Sequence, residues 1–217
     1  MIRILSILVV ILVGPWALLA GDPSTDSQDR CADEPAPARN NIVYVIDISG
    51  STIGVSPFII SEVKKSLNQL SERPQFAVLF FQNGQVLEAP KQGMLAVNAE
   101  NRSLVFRWMD IEEGPITPGG TGDPRAALKR AFELEPVLIF VLSDGLRSAP
   151  KNELNQTALR EEIVKLNVNK VKINCIDFAY SGKKPGGEDT KTTLEHIAAD
   201  SGGLYKFAST RELGIPK

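Results

Sequence analysis

The chain has 217 residues, with 24 basic and 26 acidic side chains, 43% hydrophobic and 23% charged. That length supports one domain with a real core, and the composition is that of an ordinary globular protein. The near-balance of charge gives no electrostatic reason to propose nucleic acid, so no nucleic-acid partner is expected.

The N-terminus stands apart. "MIRILSILVVILVGPWALLAGD" carries one basic residue, Arg3, then an apolar run from Ile4, then Gly14-Pro15, then small residues at Ala17, Ala20 and Gly21. This is the layout of a secretory signal peptide over residues 1–20, cleaved after Ala20, although Leu18 is a poor residue at that spacing. The alternative is an uncleaved N-terminal anchor, for which the run is slightly short of the about 20 residues that span a bilayer. The apolar run does not end in a cysteine, which excludes a lipoprotein. The expected location is therefore secreted or periplasmic, in the cell envelope, with membrane attachment only through that first segment. Residues 21–40, including "DPSTDSQDRCADEPAPARN", are polar and proline-rich and read as a flexible linker.

The domain spans 41–217. "IVYVID" (42–47) is a continuous apolar run, the mark of a strand covered on both faces. Residues 56–70 place Phe58, Ile59, Val63, Leu67 and Leu70 at helical spacing, with Ser56 as cap and Pro57 at the first helical position. "QFAVLFF" (75–81) is a second strand and "GQVLEAP" (84–90) a short edge strand ended by proline. Helices follow at 98–109 and 123–134. A buried strand, "PVLIFVLSD", occupies 136–144, a helix 153–167, and another strand 171–179. A helix over 191–202 is stopped by Gly202-Gly203, and "LYKFA" closes the sheet. The alternation predicts an α/β fold. It is Rossmann-like and doubly wound, with a mostly parallel central sheet, one short antiparallel edge strand and helices on both faces. Cys31 and Cys175 could form one disulfide outside the cytosol; Cys175, in an apolar strand, also reads as a small core residue.

Ligands in such sheets sit beyond the carboxyl ends of the strands. The first strand leaves Asp47, Ser49 and Ser51 there. Residues two apart in an extended chain point the same way, so their oxygens converge if the extended trace continues past Asp47. The third buried strand leaves Ser143, Asp144 and Gly145, and "GGTGDP" places Thr121 just before a helix. Every group is an oxygen, which suits a hard cation, Mg²⁺ by preference with Mn²⁺ or Ca²⁺ as alternatives. Asp and Ser are also common turn residues after a strand, so the residues alone leave both a polar turn and a metal site open. The one histidine, His196, lies in a later helix with no ligand spacing around it.

Across 41–209 the chain resembles the von Willebrand factor type A (VWA) domain. "VYVIDISGS" resembles the first motif of that family's metal-ion-dependent adhesion site, "PGGTGDPRAALKRAF" the segment bearing the motif threonine, and "LIFVLSDG" the strand bearing the last motif aspartate. "LEHIAADSGGLYKFA" resembles the final helix and strand. The resemblance implies a metal site of Asp47, Ser49, Ser51, Thr121 and Asp144. The three hydroxyls would ligate directly and the two carboxylates mostly through water. One position would stay open for a Glu or Asp carboxylate of a partner protein. Gly120, Asp123 and Gly145 would form the rim, with Asp123 alternatively a helix-start charge.

The leading function is thus an exported protein-binding module and not an enzyme. Two alternatives stand beside it. One is a scaffold whose metal site is structural or vestigial. The other is a metal-dependent phosphate-ester hydrolase with Asp47 as nucleophile, which lacks the acidic residue those enzymes carry where this chain has Ser49. A serine hydrolase lacks its G-x-S-x-G turn.

Overall fold

Five apolar residues without a charge make the strand Ile42–Asp47 (β1), and every one of its six residues is buried. Its two flanks explain why. It pairs in parallel with Gln75–Gln82 (β2) on one side and Leu138–Ser143 (β5) on the other. The computed structural model describes residues 40–71, 74–90, 93–146, 156–179 and 192–209. The signal segment, the linker up to residue 39, Cys31 and the 180–191 loop fall outside the described residues.

Among the described residues the sheet has seven strands, six of them in the order β3-β2-β1-β5-β6-β7, where β3 is Gln85–Glu88, β6 Lys172–Ala179 and β7 Tyr205–Ser209. All pairings from β2 through β7 are parallel; β3 joins β2 antiparallel through a tight hairpin. The expected architecture is the observed one. In addition, a two-residue strand, Leu95–Ala96 (β4), pairs antiparallel with the start of β2. Two residues carry no periodicity that a sequence could reveal.

Five helices cover the sheet: Ser56–Gln69 (α1), Ala99–Trp108 (α2), Arg125–Glu133 (α3), Gln156–Leu166 (α4) and Thr193–Ser201 (α5). Alternation along β1 splits the core in two. Tyr44 and Ile46 pack with Phe80, Phe140 and Leu142 under Ile59, Val63 and Leu67 of α1. Val43 and Val45 pack with Leu79, Phe81 and Val141 under Ala127 and Leu128 of α3, Leu159 of α4 and Leu194 of α5. Fully burying such side chains stabilises by about 1.5–3 kcal/mol each. The one polar tip in this layer is satisfied: Tyr44 Oη lies 2.7 Å from Ser66 Oγ, and the Tyr44 ring stacks on Phe140. Cys175 is a free thiol, fully buried in β6 as the strand pattern suggests.

The helix ends follow local chemistry, with one correction. Asn98 caps α2 by accepting from Asn101 N–H, and Thr192 caps α5 by accepting from Glu195 N–H. Gly202 ends α5 in the left-handed region (φ 70°), as expected for the stop. Ser56, however, is not the cap of α1. It is the first helical residue, the cap position is Val55, and the buried Ser56 hydroxyl donates to Ile53 O at 3.1 Å.

Candidate metal centre

β1 is the point where the sheet order reverses, with β2 built out one way and β5 the other. In open α/β sheets such a reversal, beyond the carboxyl ends of the strands, is where ligands sit. Asp47 is the last residue of β1 and is buried. Both its oxygens are engaged. Oδ1 accepts from Ser49 N–H at 2.8 Å and Oδ2 accepts from the Ser143 hydroxyl at 2.6 Å.

The chain beyond Asp47 does not continue as a strand. Ser49 is still extended, but Gly50–Thr52 form a 3₁₀ turn. The turn is closed by Thr52 N–H and Thr52 Oγ1, which both donate to Ser49 O, at 3.0 and 2.8 Å. Convergence of Ser49 and Ser51 therefore comes from a turn and not from strand alternation. Their hydroxyls lie 3.2 Å apart. Short polar side chains folding back on nearby backbone is the physical reason the strand stops here.

The Thr121 loop reaches the same place. A Cβ built on Gly122 would sit 3.1 Å from Ser49 Oγ and 3.3 Å from Asp47 Oδ2, so only glycine approaches this closely without displacement. Gly119 N–H donates to Ile48 O, and Gly50 N–H donates to Gly120 O, locking the two loops together. Thr121 and Gly120 are exposed at this edge, as is Ser51.

Asp144 follows β5 directly and is half-buried. Its charge is close enough to push the Asp47 carboxyl upward. The dominant cause of that upward shift is burial, opposed by the hydrogen bonds from Ser143 and Ser49, with Asp144 adding to it. Ser143, fully buried, is the residue that ties β5 to β1: its Oγ donates to Asp47 and also accepts from Gly145 N–H and Leu146 N–H.

The rim differs from expectation. Gly145 is buried with its N–H directed to Ser143, so it is interior, not rim. Asp123 is held by its neighbour Arg125, which donates through its backbone N–H, Nε and Nη2. Burial would raise the Asp123 carboxyl, but those bonds and the guanidinium charge leave it below the usual carboxylate range. It serves the start of α3 and pairs with Arg125.

Sequence reasoning singled out the five oxygen residues and named Ser143 among the strand-end oxygens, but it gave no positioning role to Ser143, Gly122, Gln82 or Asn83. Ser143 faces Asp47 because the register Ile46↔Leu142 carries one residue on. Gln82 and Asn83 grip the Thr121 loop across a sequence gap. The Asn83-Gly84 pair between two strands was the available signal for a hairpin there. His196 lies in α5. Among the described residues no group of three or more His, Cys, Asp or Glu gathers anywhere. A cation seat in this region must therefore draw on hydroxyls.

The architecture is matched by solved structures. A von Willebrand factor type A protein from Catenulispora acidiphila superposes with a TM-score of 0.57 at 18% identity, covering 78% of this chain and 38% of that one. The fold is VWA-like. The pilus adhesin SpaC from Lactobacillus rhamnosus GG, in its open conformation, gives a TM-score of 0.60 at 12% identity, covering 81% and 28%. The SpRpn10 VWA domain gives 0.53 at 10% identity, covering 79% and 87%. The chain thus spans well under half of the first two proteins and most of the third. No protein-family model matches the sequence, and no curated protein does. Among the described residues no helix is long and apolar enough to cross a membrane.

Proposed function

We propose that this VWA-like domain is an exported protein-interaction module in which Asp47, Ser49, Ser51, Thr121 and Asp144 hold a divalent cation, Mg²⁺ by preference. The observation that carries the reading is the environment of Asp47. A buried carboxylate sits beside a second carboxylate, and the groups that set its proton affinity are hydroxyls, one amide and Asp144, with no basic side chain among them. Two anions held this close are unfavourable, and either a proton on Asp47 or a cation offsets the cost. The surrounding donors are all oxygens, the set a hard cation takes.

Ser49, Ser51 and Thr121 would ligate directly. Each Asp47 oxygen already accepts a protein hydrogen bond, which suits a role through water. Bound there, the ion would supply a positive point only partly neutralised by its ligands, attractive to a Glu or Asp carboxylate of a partner. Exposure of Ser51, Gly120 and Thr121 at the sheet edge leaves the seat accessible from outside. The pilus adhesin among the similar structures, with the signal-like N-terminus, supports a location outside the cytosol.

A binding role also fits the chemistry better than catalysis. A nucleophilic aspartate must be ionised and free to attack, whereas Asp47 has a raised proton affinity and both oxygens engaged. The test is a pull-down from native extract in Mg²⁺ against chelator. A partner retained with Mg²⁺ and released by chelator, and not retained by Asp47→Ala, supports the reading. Retention regardless of chelator and of the substitution contradicts it.

A further inference from the structure

Thr121 is the weak point of the proposed seat. It stands exposed in "GGTG", between glycines that give the backbone more freedom than any other residue would. A hydroxyl ligand has to be held to within about 0.5 Å of its working position. Something outside the loop must do this.

The geometry points to the Gln82-Asn83 corner as the device that positions Thr121; this rests on the cation reading above. β2 ends at Gln82, and Asn83 and Gly84 form the two-residue turn into β3 with φ of 53° and 69°. Positive φ at both positions is the turn that suits a right-twisted hairpin. That conformation turns Asn83 toward the Thr121 loop. The two residues bond in both directions: Asn83 N–H donates to Thr121 O at 2.7 Å, and Thr121 N–H donates to Asn83 Oδ1 at 2.9 Å. One residue earlier, Gln82 Nε2 donates to Thr117 O at 3.0 Å and to Gly119 O at 2.7 Å. The clamp even accounts for Gly120. A Cβ there would overlap the Asn83 carboxamide.

Thr121 is thereby pinned on both its peptide groups by a single side chain and its own backbone, from an edge hairpin 38 residues away. The Asn83 bonds run to the Thr121 backbone and not to its hydroxyl. Asn83 acts only through Thr121, and so is a positioning residue. Residues that orient metal ligands commonly change metal affinity 10–100-fold when removed.

Two substitutions separate positioning from folding. Asn83→Gly keeps the left-handed turn and the N–H to Thr121 O but deletes the Oδ1 acceptor. Asn83→Asp keeps both. Mg²⁺ is titrated calorimetrically into the full chain as wild type, Asn83→Gly, Asn83→Asp and Thr121→Ala, and Thr121 amide exchange is followed in each ion-free protein except the last. Asn83→Gly is expected to weaken Mg²⁺ about tenfold and to speed Thr121 exchange with the ion-free unfolding midpoint little changed. Asn83→Asp restores both. Wild-type affinity and wild-type Thr121 protection in Asn83→Gly, with Mg²⁺ binding lost in Thr121→Ala, overturn the proposal and leave the cation reading standing. A wild-type chain that takes up no Mg²⁺ overturns the cation reading itself, and the proposal with it.

Discussion

The Ser143 hydroxyl donates to Asp47 Oδ2 at 2.6 Å, joining the tips of two parallel strands whose residues lie 96 apart in the chain. The same oxygen accepts from Gly145 and Leu146, which fixes the start of the loop bearing Asp144. One buried hydroxyl therefore sets the spacing of both carboxylates. Ser143→Ala strands three partners in the interior, at a cost of about 1–3 kcal/mol for an unsatisfied buried group. Urea denaturation is expected to show that loss, with Mg²⁺ affinity reduced as well.

Asp47 gives a prediction with a sign. Burial, with Asp144, lifts its folded pKa above the unfolded value despite the Ser143 and Ser49 bonds. A raised folded pKa means the native state holds the proton more tightly. The contribution of Asp47 to stability is full below the unfolded carboxylate pKa and is lost as pH rises through the folded one. At neutral pH, above the unfolded carboxylate pKa, Asp47 is a net cost to the ion-free chain. Asp47→Asn is therefore expected to keep or raise the ion-free melting temperature, while abolishing the rise produced by Mg²⁺. A fall in ion-free stability together with an intact Mg²⁺ shift contradicts it.

Glu88 runs the other way. Burial would raise its carboxyl, but Arg130 and Gly93 N–H hold it below the ordinary range. The bidentate bonds from Arg130 Nε and Nη2, at 2.9 and 3.1 Å, tie β3 to α3 just behind the Thr121 loop. Its stabilisation is full above the unfolded carboxylate pKa and is lost as pH falls through the depressed folded value. Glu88→Gln is expected to cost about 1–2 kcal/mol near neutral pH. Urea midpoints of the two proteins should converge as pH falls through the depressed folded value of Glu88.

Two glycines with nearly identical backbones separate conformational strain from collision. Gly120 has φ 69° and Gly202 φ 70°, but a Cβ on Gly202 meets nothing within 4 Å while one on Gly120 strikes Asn83. Gly202→Ala should cost about 1 kcal/mol from the backbone alone. Gly120→Ala should cost more, and the excess should shrink in an Asn83→Gly background. Chemical denaturation of the wild type, the three single variants and the Gly120→Ala/Asn83→Gly double variant measures it.

The strands were legible because they are apolar on both faces: Ile42–Asp47 ends where the sequence places it, at the first charge. The five oxygen residues were legible as types at strand and loop ends. Their gathering at one sheet edge was expected from the strand ends and from the family resemblance, but the bonds that hold the loops there were not. Gln82 to Gly119, Asn83 to Thr121 and Ser143 to Asp47 are bonds across 37, 38 and 96 residues, which depend on strand register and leave no local periodicity. The turn at Gly50–Thr52 was hidden for a different reason. Serine and threonine serve extended and turned backbone equally, and only the Ser49 O acceptor decides between them. Ser56 has the side chain of a cap but points its hydroxyl at Ile53 O, and the helix begins at Ser56 itself.

In the proposed reading Asp47, Ser49, Ser51, Thr121 and Asp144 seat a divalent cation. Calorimetric titration of Mg²⁺ into the ion-free full chain, alongside Asp47→Asn, tests it most directly. One saturable site in the wild type, absent from Asp47→Asn at unchanged or higher ion-free stability, is the expected result. No saturable uptake by a folded wild-type chain, or equal uptake by both proteins, contradicts it.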